Sequence, residues 1–192
     1  MSKSQLQKSI KFSLGIAVIT FVLAAIFSVV SSALLGEVIW IAGLLIVFLI
    51  VFIGVFFDML GIAATAADEV PFHAMAAERV SGSKQAIIIV RNADRFASFC
   101  NDVIGDISGI VSGTASAIVV LQVANGFGYG DGSTFQIVVS VILTSFIAAL
   151  TVGGKAIGKY LAIHASTQII FFVGKMIAFI EDKFKIKILK KD

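Results

Sequence analysis

The chain has 192 residues, 58% of them hydrophobic and 14% charged, whereas a soluble domain carries about 45–50% apolar and about 25% charged residues. The apolar excess is organised in long runs, which excludes an ordinary soluble domain and predicts an all-α integral membrane protein with about four transmembrane helices. The single cysteine, Cys100, leaves no internal disulfide and no Cys-rich metal site to consider, and the net charge of +3 follows from lysines grouped beside the spans, so nucleic acid is not an expected partner.

The first two apolar runs, 12–34 and 38–60, are joined by almost nothing, so they predict a tight helical hairpin. A basic start followed by an apolar run ending "VSSA" also fits a cleaved signal peptide. The run is longer than the usual 7–15 residues of a signal core, which favours a retained span.

Residues 61–99 are moderately apolar and punctuated. Pro71 is placed to open a short helix, "SGS" breaks the chain, and "KQAIIIV" starts a second helix. Asn92 or Asp94 is expected to cap the segment leading into the third span. Two or three short helices against the membrane face are predicted here. His73 is expected to be interfacial or structural rather than a metal ligand.

The third run, 102–123, opens within "CNDVIGDISGIVSGTASA". At about 100° per residue, Gly105, Gly109 and Gly113 fall on one ridge, with Ser108, Ser112 and Ser116 beside it. Asp102 and Asp106 flank the same ridge, and all eight fit within an arc of about 160°. Such small-residue ridges let helix backbones approach closely, within one chain or across a homodimer. The helix-packing face is therefore Gly105, Gly109, Gly113 and Ser116. A carboxylate at the centre of a membrane helix costs roughly 2.5–3.5 kcal/mol, which makes Asp106 the harder of the two acids to explain by packing. Asp58, in "FFDMLG" at the end of the second run, is at similar depth. Asp58, Asp102 and Asp106, with Asn101, Ser108 and Ser112 as lesser contributors, form a candidate oxygen-rich cation site of the kind that Mg2+ and Na+ accept.

The fourth run, 134–154, follows the flexible connection "ANGFGYGDGS". Beyond it, His164, Gln168, Lys175 and Asp182 recur on one narrow helical stripe, which predicts an interfacial amphipathic helix and a basic tail over 157–192 rather than a fifth span. The tail "KFKIKILKK" is read as a solvated segment attracted to lipid headgroups. In this four-span arrangement all 15 basic residues lie on one side, which predicts a cell-membrane protein with both termini cytoplasmic. The whole chain, 1–192, is read as a single transmembrane domain with the lipid bilayer as its first partner. An enzyme is not expected, since no nucleophile–base pair, phosphate loop or metal-spaced His/Cys set is present.

The order of parts resembles the transmembrane domain of the cyclin M and CorB/CorC family of magnesium transporters. "FFDMLGIAA" follows the spacing of the family's "FF-S-x-x-E-x-A" pattern, with Asp58 at the serine position and Gly61 where glutamate is usual. "QAIIIVRNADRFASFCNDVIGD" tracks the family's polar segment, with Asp102 and Asp106 in the places of two asparagines. "GKAIGK" keeps Gly154 and Lys159 of a "G-E-x-x-P-K" motif but has Lys155 for glutamate and Gly158 for proline. The resemblance implies transport of a divalent cation, Mg2+ foremost, with Na+ as coupling ion, by a homodimer. It also implies that the family's CBS modules are missing, so that any regulation of that kind is either missing here or supplied by a separate protein. The alternative is a non-transporting scaffold or regulatory subunit that packs through its Gly/Ser helix face.

Overall fold

A computed structural model describes residues 3–185. Every regular element among them is helical, and four helices are long and apolar enough to span a membrane. The chain is an all-α, multi-pass membrane protein. Its helices are α1 (Lys3–Glu37), α2 (Trp40–Ala66), α3 (Val70–Ala77), α4 (Ser83–Arg91), α5 (Ala93–Ser98), α6 (Asp106–Gly126), α7 (Thr134–His164) and α8 (Ser166–Phe184). A π-helical stretch, Phe99–Gly105, joins α5 to α6. The tail residues 186–192 lie outside the described residues.

Hydrophobic run length places the four spans but not all of their ends. The hairpin turn between α1 and α2 is as tight as expected, with only Val38 and Ile39 between Glu37 and Trp40. The second helix continues through Ala66, so residues expected at the membrane face extend a span instead. The third apolar helix runs Ala93–Gly126 and the fourth Thr134–His164. Nothing in "GKAIGKYLAIH" breaks a helix, because an isolated glycine costs only about 1 kcal/mol in a helix interior. The expected interfacial helix therefore begins at Ser166 rather than 157.

The single transmembrane domain expected over 1–192 contains two compact units. The first comprises Met1–Val55 and Asp102–Gly154. Its core joins Leu35, Val47, Val51, Ala115, Val119 and Ile147, with a second cluster of Val103, Ile107 and Val111 against Ile16, Leu23 and Ala24 of α1. Most other described α1 side chains face outward, as suits a helix against lipid. Gln122 of α6 ties down the hairpin turn: its side-chain amide donates to the Leu35 carbonyl at 2.5 Å and the Val38 carbonyl at 3.1 Å. The last carbonyls of a helix have no partner within it, and the amide supplies one.

The second unit comprises Phe56–Asn101 and Lys155–Asp192. Its core gathers Ala63, Ala64, Phe72, Ala86, Ile89, Ala162 and Ile170. Pro71 opens α3 as expected. That helix closes with Arg79 in the left-handed region at φ 58°. The Val80 N–H reaches the Met75 carbonyl and the Arg79 N–H reaches Ala76, a Schellman motif with arginine where glycine is usual. Asn92 precedes α5, but its side chain serves the helix before it, donating to the Ile88 carbonyl at 3.0 Å. The amide is thus a C-terminal cap of α4, not the N-terminal cap expected from its position. Asp94, the other expected cap, lies inside the first turn of α5. α4 docks on α8, whose buried residues Ser166, Ile170, Gly174 and Ala178 recur every four positions. His164, Gln168, Lys175 and Asp182 are all exposed, as their stripe predicts.

Candidate functional site

The eight small and acidic residues that share an arc of the third span do not form one surface. Ser108, Ser112 and Ser116 are buried, together with Gly105. Their hydroxyls donate to carbonyls of their own helix: Ser108 to Ile104 at 2.7 Å, Ser112 to Gly109 at 2.9 Å and Ser116 to Gly113 at 2.7 Å. This back-bonding satisfies a hydroxyl without a second helix. The serine flank then packs inward, and Gly54 of α2 comes so close that a Cβ there would lie 2.8 Å from the Ser108 Cβ.

Asp102, Asp106, Gly109 and Gly113 point the other way and are exposed. Nothing lies within 4 Å of where a Cβ would stand at Gly109 or Gly113. Ala117, one turn further on, is exposed as well. Among the described residues neither Asp102 nor Asp106 makes an ion pair or a side-chain hydrogen bond. The sequence identifies which residues share a helix face. It does not carry the second fact, that the neighbouring helices cover the serine half and leave the glycine half bare.

In the second unit Asp58 has a counter-ion. Its carboxylate lies 3.3 Å from the Lys155 ammonium, with the two side chains 16% and 33% exposed. Both residues belong to membrane-spanning helices, where opposite charges pair because an isolated one is costly. Asn101, a lesser contributor by sequence, is more confined than its neighbours suggest. Its Oδ1 is buried and has no hydrogen-bond partner. It fits only because residue 61 is glycine: a Cβ there would overlap that oxygen. Asp58 and Gly61 are three residues apart on α2, hence on one face.

Among the described residues no group of three or more His, Cys, Asp or Glu side chains is gathered so as to hold a metal ion. His73 is taken up by a local network. Its Nε2 lies 2.7 Å from Glu69 Oε1, which also accepts from Arg91 Nε at 2.5 Å. The His73 hydrogen bond, with Arg91 adding to it against some burial, holds the Glu69 carboxyl below its ordinary value of 4.5.

Two residues of this region escaped the sequence reading. Lys155 figures there only among the basic residues and as a departure from a family glutamate. Opposite charges on two spans hint at its pairing with Asp58, but their depths alone do not fix contact. Gly61 reads as one more small residue, and its role as room for Asn101 needs coordinates. Comparison with known proteins finds no matching protein-family model, no matching curated protein and no matching solved structure.

Proposed function

We propose that the chain moves a divalent cation, Mg2+ foremost, across a cell membrane, with Na+ as the coupling ion. It works as a homodimer with both termini on the cytoplasmic side. The observation that carries this reading is the pair of unpartnered, exposed carboxylates, Asp102 and Asp106, on a membrane-spanning helix. Ionisable groups at such positions face a water-filled path or a partner and mark ion routes. The bare stripe Gly109, Gly113 and Ala117 continues from them along α6. That spacing suits close helix–helix contact with a second copy. The sequence resemblance to the CorB/CorC and cyclin M membrane domains supports the same class of function.

The experiment is flux into liposomes loaded with a Mg2+-sensitive dye. Wild-type protein raises the signal under an inward Mg2+ gradient, and Asp106→Asn reduces it by roughly tenfold or more. Equal signals from protein-containing and empty liposomes under every Na+ gradient reject transport.

One observation favours a second reading, a non-transporting scaffold or a regulatory subunit serving a separate protein. Asp58, one of the three acids, is already neutralised by Lys155. If Asp106→Asn keeps every Mg2+-related phenotype of cells while Gly109→Leu abolishes assembly, packing is the function.

A further inference from the structure

Where the α3–α4 connection meets α8, the second unit holds an open cavity of about 500 Å3, within the about 300–1,000 Å3 usual for small-ligand sites. Three charged side chains line it: Arg79 from the connection, Lys84 from the first turn of α4 and Asp182 from α8. Each is exposed, and none makes an ion pair among the described residues. Other polar groups on the wall are already used. The Ser83 hydroxyl donates to the Val80 carbonyl at 2.6 Å, and the Gln85 amide donates to Glu181 at 2.8 Å. A guanidinium, an ammonium and a carboxylate thus share one cavity, all three unpaired.

Both signs of charge on one wall narrow the ligand. A plain phosphate meets the Asp182 carboxylate, and a plain amine meets two cations. A group with a phosphate and a primary ammonium a few bonds apart satisfies all three residues. Arginine and lysine are the usual phosphate ligands, and an ammonium N–H donates to a carboxylate. The surface beside the cavity names the source. Phe179 stands three residues before Asp182 on α8, hence on the adjoining strip of that helix, and with Phe172 and Met176 it is exposed. A helix with such an apolar strip beside charged groups lies against acyl chains. We propose that the cavity binds the headgroup of an aminophospholipid, its phosphate on Arg79 and Lys84 and its ammonium on Asp182, with the chains along Phe172, Met176 and Phe179. Such a site is distinct from general adhesion of the basic tail, and it does not depend on transport.

The test is thermal unfolding of delipidated protein in detergent, with short-chain lipids added. Short-chain phosphatidylethanolamine raises the midpoint by about 5–10 °C at about a hundredfold above its Kd. Phosphatidylglycerol lacks the amine and phosphatidylcholine has no ammonium N–H; each raises it at most about half as much at the same concentration. Asp182→Asn removes the preference for the amine lipid. Arg79→Gly and Lys84→Gln each lower the rise with every lipid. Glycine suits the left-handed backbone at position 79, and all three side chains are exposed, so without lipid the variants melt as wild type does. If one of the two cation variants gives no folded protein, the other goes through the same titration. Equal rises with the three lipids in wild type, or an unchanged preference in Asp182→Asn, overturn the proposal. An equal rise with chain-free O-phosphoethanolamine overturns it too, by assigning the cavity to a soluble phosphorylated amine.

Discussion

Gly54 of α2 and Ser108 of α6 meet at backbone distance: an added Cβ on Gly54 would stand 2.8 Å from the Ser108 Cβ and 3.6 Å from the Gly105 carbonyl oxygen. Neither neighbour is the far end of a flexible side chain, so the helices themselves would have to part. Overpacking of this kind costs about 1–3 kcal/mol. Gly54→Ala is expected to lower stability by that amount, and Gly54→Leu to prevent folding of the first unit. Unfolding by graded denaturing detergent, followed by circular dichroism, measures both. An alanine variant as stable as wild type would show that the contact is not close in solution.

Gln122 should matter beyond its size. Its amide serves the Leu35 and Val38 carbonyls at the α1–α2 turn. Gln122→Leu keeps the volume roughly and removes the donor. Interhelical hydrogen bonds in membranes average about 0.6 kcal/mol, with a maximum near about 1.7. The expected loss is of that order, accompanied by faster backbone hydrogen exchange at residues 36–40. Unchanged exchange there would mean that water satisfies those carbonyls.

The Glu69 network gives a pH dependence whose sign is fixed. The folded-state carboxyl titrates below its ordinary value of 4.5, chiefly through the His73 hydrogen bond and with help from Arg91. A group depressed in the folded state adds stability above its unfolded value, and loses it as pH falls through the folded one. Docking of α3 against Arg91 of α4 is therefore expected to hold from neutral pH down to the ordinary value of 4.5 and to weaken below it. Hydrogen exchange at residues 70–77 reports the change. Glu69→Gln should exchange faster at neutral pH and respond less to acid than wild type does.

The bare glycines of α6 separate folding from assembly. A leucine at Gly109 or Gly113 meets no protein atom within 4 Å of its Cβ, so the protomer should melt as wild type does, within about 0.5 kcal/mol. If the stripe is a dimer contact, light scattering of the detergent complex should fall from dimer to monomer mass for both variants. Dimer mass retained in both would place the contact elsewhere.

Much of this fold is legible in the sequence because lipid imposes length. Four runs long enough to cross a bilayer predict four spanning helices, and Pro71 marks the start of α3 correctly. Helix ends are less legible, because they depend on partners: α7 passes Gly154 and Gly158 and stops only at His164. There the ring nitrogen of His164 meets the Tyr160 carbonyl at 2.9 Å. Asn92 shows the same limit at one residue, since a short amide can serve the helix on either side and only packing decides. The candidate site was legible as residue types but not as pairings. Spacing groups Asp102 and Asp106 with serines that turn out to be buried, and the opposite charges of Asp58 and Lys155 hint at a pair without fixing their contact.

The meeting of α4 and α8 is a joint of main chain on main chain. Gly82, at φ 90°, lies so near α8 that a Cβ would stand 2.6 Å from the Lys175 nitrogen, while a Cβ on Gly174 would overlap the Gly82 carbonyl oxygen. Side-chain contacts can absorb a displacement by changing rotamer; a glycine pair has no rotamer to change. A tug or tilt applied to α8, by lipid or by a bound protein, therefore passes into α4 without slack. Gln85 Nε2 donates to Glu181 Oε2 at 2.8 Å and adds a side-chain tie between the same two helices. Mechanically the pair works as a rivet with a locking pin, and it would couple events at the end of the chain to the segment between the second and third spans.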